Sequence, residues 1–99
     1  MGESGAEPLE LRLDGELDAY SAPDVRKRLH ALIEESGKAG VVIVDLTRVT
    51  FMDSTILGTL VGGLRRMRER DGELRLVYPP QPVRRIFELT GLDGVFPTA

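Results

Sequence analysis

The chain has 99 residues, of which 41% are hydrophobic and 29% charged, and this length and balance predict one globular domain with no room for a second core. Its 13 basic and 16 acidic residues give a formal charge of -3, and so weak a field disfavours nucleic acid as a partner. The absence of cysteine excludes disulfides, thiolate metal sites and cysteine nucleophiles, while the single histidine offers little for metal or acid–base chemistry.

The N-terminal part of the chain predicts an arm, a strand and a helix. Residues 1–8 are small, polar and glycine-containing, which is typical of a mobile arm or the remnant of an edge strand. Leucines alternate with polar residues over Leu9–Leu13, the pattern of a strand with one solvated face, and Gly15 then permits a turn. Ser21 is the predicted N-cap of a helix that has an early proline and ends at Gly37.

The middle of the chain predicts a central strand and a second helix. Val41–Val44 are all β-branched, which indicates a strand covered on both faces, as in parallel sheets. An apolar stripe predicts a helix from about Ser54 to Arg70. The longest unbroken apolar run is Val41–Val44, far too short to span a membrane, and no basic region precedes an apolar stretch at the N-terminus. These features predict a cytoplasmic location.

The C-terminal part predicts a third strand over residues 74–78 and a third helix that follows the proline-rich segment 79–82 and closes at Gly91. A short strand is expected at Val95–Phe96. Strands and helices therefore alternate with short connections, which predicts an α/β fold with a mainly parallel central sheet and helices packed on it.

The most informative local feature is the run of oxygen-bearing side chains Asp53, Ser54 and Thr55 at the start of the second helix. The first turn of a helix leaves backbone N–H groups unpaired and carries a partial positive charge. It can therefore hold an anionic group, such as a phosphate on Ser54. Because these residue types are also common N-caps, capping alone remains the other interpretation.

Glycines lie inside the same helix, where each costs roughly 1 kcal/mol relative to alanine. Gly58 and Gly62 are four residues apart and share a face. Their spacing would let another backbone or a partner approach closely. Internal packing against the sheet is favoured over dimerisation as the explanation.

Other chemistry is disfavoured by missing motifs. The acidic segment 14–18 lacks the spacing of a calcium loop, and no nucleophile elbow surrounds Ser54 and no phosphate-binding loop occurs. An apolar strand ending at Asp45 leaves a phosphoaspartate receiver as a distant alternative. Its active site needs a lysine late in the chain, whereas the only lysines are Lys27 and Lys38.

Four segments in a fixed order resemble the STAS family of anti-sigma factor antagonists over about residues 9–96. They are Gly15–Asp18, Val41–Leu46, Phe51–Gly58 and Leu89–Leu92. The order of the segments makes the resemblance more specific than any one of them.

The resemblance implies that residues 9–99 form one STAS domain, a non-enzymatic partner-switching module in transcription regulation and stress response. The unphosphorylated domain would bind an anti-sigma factor that is also a serine kinase of the GHKL type, and would thereby release a sigma factor. Phosphorylation of Ser54 would end this binding, and a PP2C-type phosphatase would restore it. The partner-binding surface would comprise Asp18, Asp53, Thr55, Ile56, Leu57 and Gly58.

Composition, charge and apolar runs predict a protein without cofactor or metal and without direct contact to nucleic acid or membrane, and a monomeric or weakly dimeric state is expected. Ile56 occupies a position where the family usually has glycine, and the family usually has longer termini. The alternative function is a STAS scaffold or ligand-sensing subunit of a signalling assembly, without a working phosphoswitch.

Overall fold

The computed structural model describes residues 7–99 and contains three strands and three helices. The strands form one parallel sheet in the order β1-β2-β3, which confirms the predicted α/β architecture. The expectation for residues 1–8 falls largely on residues 1–6, which lie outside the described residues. In chain order the elements are β1 (Leu9–Leu17), α1 (Ala22–Ser36), β2 (Val41–Met52), α2 (Ser54–Glu69), β3 (Glu73–Val77) and α3 (Arg85–Leu89).

One face of the sheet forms the core together with α1 and α2. Leu11, Val44 and Leu76 lie side by side on the three strands, and each is at most 4% exposed. The helices cover this layer with apolar side chains such as Leu29 and Leu60, both fully buried. Burying one such side chain stabilises the fold by about 1.5–3 kcal/mol, so this layer holds the two helices in place.

The opposite face of the sheet is only partly covered, which corrects the expectation that both faces of the central strand are buried. Val41 and Ile43 point to this face and are half-buried. Their neighbours include Glu10 on β1 and Arg75 on β3, whose charged side chains border the apolar strip. The β-branched run therefore reflects a central position between two strands rather than two helical layers.

β1 and β2 are both longer than predicted because the chain passes through Gly15 without turning. Gly15 has a φ of 73° and lies at a shift in the register between β1 and β2. Glycine adopts this conformation without steric cost, which is typical of a bulge inside a strand. Beyond the bulge, pairing resumes and carries β1 to Leu17 and β2 to Met52.

The three glycines of α2 have different surroundings. A Cβ atom on Gly63 would lie 2.7 Å from Leu29 Cδ2 and 3.1 Å from Leu74 Cδ1, whereas a Cβ built on Gly58 or Gly62 would have no atom within 4 Å apart from the adjacent residues and the nearby backbone of the same helix. Gly63 therefore permits close packing of α2 on the core. The preferred explanation for Gly58 and Gly62, internal packing, is wrong, since both lie on the open side of the helix.

The C-terminal segment packs by aromatic contacts rather than as a strand. Val95 and Phe96 lie in a turn, so the predicted strand is wrong. The Phe96 ring lies edge-on against Phe87 with 6.3 Å between centroids, and only Thr98 forms a bridge with Leu76 of β3.

Candidate functional site

The carboxyl ends of β1 and β2 bring the two aspartates of the predicted site to one edge of the sheet. Leu17 and Met52 are register partners, so Asp18 and Asp53 follow at equivalent positions on neighbouring strands. The Asp53 backbone N–H donates to the Leu17 carbonyl oxygen at 3.2 Å. This bond ties the two segments together immediately before α1 and α2 begin.

Asp53 is the N-cap of α2. Its Oδ1 accepts hydrogen bonds from the backbone N–H groups of Thr55 at 3.0 Å and Ile56 at 3.2 Å. A carboxylate in this place interacts favourably with the helix dipole, and such a cap contributes typically ~1 kcal/mol. The capping role is thus confirmed for Asp53, whereas Ser54 and Thr55 already belong to the helix.

Ser54 is the first residue of α2 and is exposed. Its hydroxyl makes no hydrogen bond to another residue of the 7–99 segment, so it is accessible to solvent and to a partner. Two N–H groups of this first turn, those of Thr55 and Ile56, already donate to the Asp53 carboxylate. That the turn holds an anionic group on Ser54 stays a prediction.

Asp18 shapes the turn that leads into α1. Its Oδ1 accepts from the backbone N–H groups of Tyr20 at 3.0 Å and Ser21 at 3.2 Å. The Ser21 hydroxyl oxygen in turn accepts from the Asp18 N–H at 2.9 Å. Ser21 was expected to cap α1 with its side chain, but the hydroxyl bonds back to Asp18 instead. These reciprocal bonds fix the half-buried Asp18 beside the start of α2.

The four remaining residues of the predicted surface divide by exposure. Thr55 and Gly58 are exposed, whereas Ile56 is 0% and Leu57 4% exposed. Ile56 and Leu57 lie in the apolar stripe that turns toward the sheet, so their side chains support the core. The assignment of Ile56 and Leu57 to the partner-binding surface stays a prediction, and in this structure their side chains face the core.

Two exposed aromatic residues, each two positions from one of the site aspartates, were missed in the sequence. Tyr20 is 96% exposed and follows Asp18 by two positions, and Phe51 is 49% exposed and precedes Asp53 by two. Aromatic side chains are enriched among the residues that dominate binding energy at interfaces. Nothing in the local sequence separates them from core aromatics, since exposure depends on the turn and on the strand register.

Asp45, the acid considered for a receiver site, lies within β2 rather than at its end. It is a register partner of Arg12 and Val77. Hydrogen bonds from the Thr47 hydroxyl at 2.7 Å and the Thr47 N–H at 2.9 Å hold the pKa of the Asp45 carboxyl below its ordinary value. The phosphorylatable strand end that a receiver needs is therefore not formed by Asp45.

Two further searches concern the described part of the chain. Between residues 7 and 99, no cluster of three or more potential metal ligands occurs. None of the helices in that range is both long and apolar enough to cross a bilayer.

Comparison with known proteins gives consistent matches. The STAS domain model matches residues 3–99. The anti-sigma-B factor antagonist of Listeria monocytogenes is 38% identical over 94 residues, which cover 94% of this chain and 80% of that protein.

Solved structures show the same relationship. The unphosphorylated form of the anti-sigma factor antagonist SpoIIAA matches 98% of this chain and 84% of its own, with a TM-score of 0.76 and 29% identity. The phosphorylated form of the Bacillus cell fate determinant SpoIIAA matches 98% and 87%, with a TM-score of 0.69 and 28% identity. The chain therefore belongs to the STAS domain family, among the anti-sigma factor antagonists.

Proposed function

We propose that this chain is a phosphorylation-controlled anti-sigma factor antagonist with Ser54 as its phosphoacceptor. The unphosphorylated domain binds an anti-sigma factor that is also a GHKL-type serine kinase, and a sigma factor is released. Phosphorylation of Ser54 ends the binding, and a PP2C-type phosphatase restores it. The observation that carries the proposal is the exposed Ser54 at the first position of α2, directly after the Asp53 cap and at the sheet edge that also carries Asp18. The chain is also similar to a protein that has been solved in both phosphorylation states.

The electrostatics of the turn support a switch that acts on the partner. A phosphate adds roughly -1.5 to -2 charges, and here it would join the carboxylates of Asp18 and Asp53 at the same sheet edge. A partner surface that covers this edge would have to desolvate all three anions or place its own polar groups against them. Like-charge or unpaired contacts of this kind cost several kcal/mol, which corresponds to a few hundredfold in affinity or more.

The docking surface in this proposal consists of exposed atoms around Ser54. Asp18, Asp53, Thr55 and Gly58 supply polar groups and backbone, and Ile56 and Leu57 support them from the core. The exposed ring of Tyr20 extends the surface toward α1.

Residues 9–99 act as one domain, work in the cytoplasm as a monomer or weak homodimer, and catalyse no reaction. They need no cofactor and make no direct contact with nucleic acid or membrane. The sigma factor and the stress signal are those of the anti-sigma factor that binds.

The test uses the anti-sigma factor kinase of the same organism, ATP and mass spectrometry of the intact chain. One phosphate should appear on the wild type and on Thr55→Ala, and none on Ser54→Ala. Thr55 is the matched control, because it is the next exposed hydroxyl on the same turn. Phosphate on any other residue, or none at all, would contradict the assignment.

Binding is measured in parallel by isothermal titration calorimetry. Ser54→Asp should weaken binding of the anti-sigma factor by a hundredfold or more, as estimated from about 3 kcal/mol of unfavourable contact, whereas Ser54→Ala should retain it. If Ser54→Asp leaves the assembly intact, the chain acts as a scaffold or ligand-sensing subunit and the switch is refuted.

A further inference from the structure

A groove of about 600 Å³ runs between α1 and α2, beside the turn that carries Ser54. Thr55, the neighbour of Ser54, lines one end of it, and Glu69 lines it near the other end of α2. The remaining walls come from both helices. They include Arg26, His30, Gly58, Gly62, Arg65 and Arg66.

The shape of the groove depends on the glycines that face solvent. No atom lies within 4 Å of a Cβ built on Gly58 or Gly62, so no contact among the described residues requires glycine there. Both residues weaken the helix that contains them. Because glycine has no side chain, the bottom of the groove is formed there by the α2 backbone. Another polypeptide chain can approach this backbone closely.

The walls of the groove are predominantly basic, although the whole chain carries a formal charge of -3. Arg26 and Arg65 form no ion pair with another residue of the segment 7–99, whereas Arg66 lies 3.3 Å from Glu34. Burial lowers the pKa of His30 first, and the positive charges of Arg66 and Arg26 lower it further, against the opposing effect of Glu34. With three arginines and one glutamate, Glu69, among its lining residues, the groove carries a net positive charge.

We propose that this groove binds an acidic segment of the anti-sigma factor, so that docking extends from Ser54 along α2. Charge complementarity selects an acidic partner, and the glycine floor admits a polypeptide rather than a single side chain. The groove is continuous with the phosphoacceptor turn through Thr55. The identity of the partner rests on the proposed function. The basic character of the groove is a property of the structure and does not depend on that function.

The first test is independent of any anti-sigma factor. The ¹⁵N-labelled chain is titrated with a short polyglutamate peptide and, as the uncharged control, with polyglutamine of equal length. Polyglutamate should shift the amide signals of Gly58, Thr59 and Gly62, and added salt should weaken the effect. Arg65→Glu should reduce the affinity about tenfold, whereas Arg68→Glu, the same charge change on the same helix outside the groove, should change it less than about twofold.

Three outcomes would overturn the groove as a peptide site. They are shifts that centre on the outer sheet face near Arg12 and Arg75, equal effects of Arg65→Glu and Arg68→Glu, and a response to inorganic phosphate without one to polyglutamate. The last outcome would indicate a small-anion site.

The second test repeats the Arg65→Glu and Arg68→Glu comparison with the anti-sigma factor that binds the wild type. A selective loss for Arg65→Glu supports docking in the groove. If both variants bind like wild type while Ser54→Asp does not, the groove proposal fails and the phosphoswitch stands. If Ser54→Asp binds normally while Arg65→Glu does not, the phosphoswitch fails and the groove stands.

Discussion

Gly62 and Gly63 are adjacent in α2 but lie in different environments, one open and one in the core. Replacing each by alanine in turn should therefore change the stability of the protein differently. Alanine in a helix interior is favoured over glycine by about 1 kcal/mol. Gly62→Ala should show this gain in full, because its new methyl group would contact nothing within 4 Å apart from the adjacent residues and the nearby backbone of the same helix. For a domain of this size, a gain of about 1 kcal/mol corresponds to a rise in Tm of about 4–8 °C.

Gly63→Ala brings the same gain in helix propensity but inserts a methyl group into the core. The new Cβ would lie 2.7 Å from Leu29 Cδ2 and 3.1 Å from Leu74 Cδ1, and both leucines are fully buried. Overpacking of this kind costs about 1–3 kcal/mol, so the net change ranges from zero to a loss of about 2 kcal/mol. Its Tm should therefore fall below that of Gly62→Ala by at least about 4 °C.

The assay is thermal unfolding followed by circular dichroism, with urea titration to obtain the free energy of unfolding. Equal stabilisation by the two substitutions would refute the reasoning, since it would mean that Leu29 and Leu74 move aside freely. A loss of stability in Gly62→Ala would equally contradict the open environment of that residue.

Two other predictions concern Asp53 and His30. Asp53→Ala removes the acceptor for two backbone N–H groups and should lower the free energy of unfolding by about 0.5–2 kcal/mol in urea titration, whereas Asp53→Asn should retain most of it. The only histidine should titrate below its ordinary value of 6.5 by NMR, because burial and two arginines lower its pKa, and Arg66→Gln should raise that pKa. Since the unfolded chain binds the His30 proton more tightly, the free energy of unfolding should fall as the pH drops through 6.5. His30→Gln should remove this part of the loss. A measured His30 pKa at or above 6.5 would contradict the lowering by burial and the two arginines.

Much of the fold could be predicted because its helices carry regular apolar stripes. The α1 and α2 bounds lie within a residue or so of those expected, because capping residues and glycines mark helix ends in the local sequence. The extension of β2 to Met52 could not be predicted, because it depends on pairing with β1 after the bulge at Gly15. Register across strands is a tertiary property, and no local periodicity encodes it.

In the candidate site, too, some features could be predicted from the local sequence and others depend on the tertiary structure. The capping chemistry of Asp53 and the exposed place of Ser54 follow from residue types at a helix start, which local sequence reveals. The burial of Ile56 is a matter of helix rotation relative to the sheet, and the residue was assigned to the partner surface on resemblance alone. The exposure of Tyr20 results from the turn that Asp18 organises, so it emerged only from the folded structure.

The Asp53 cap has a consequence for the modified state of the protein. Its carboxylate holds two backbone donors at the start of α2, and a phosphate on Ser54 would be a second anion within reach of the same pair. Either the phosphate stays in solvent and presents its full charge outward, or it takes the donors and the carboxylate swings free. In both cases one unbalanced anion would face a partner, so phosphorylation of Ser54 would change the charge of this surface without any change in the fold behind it.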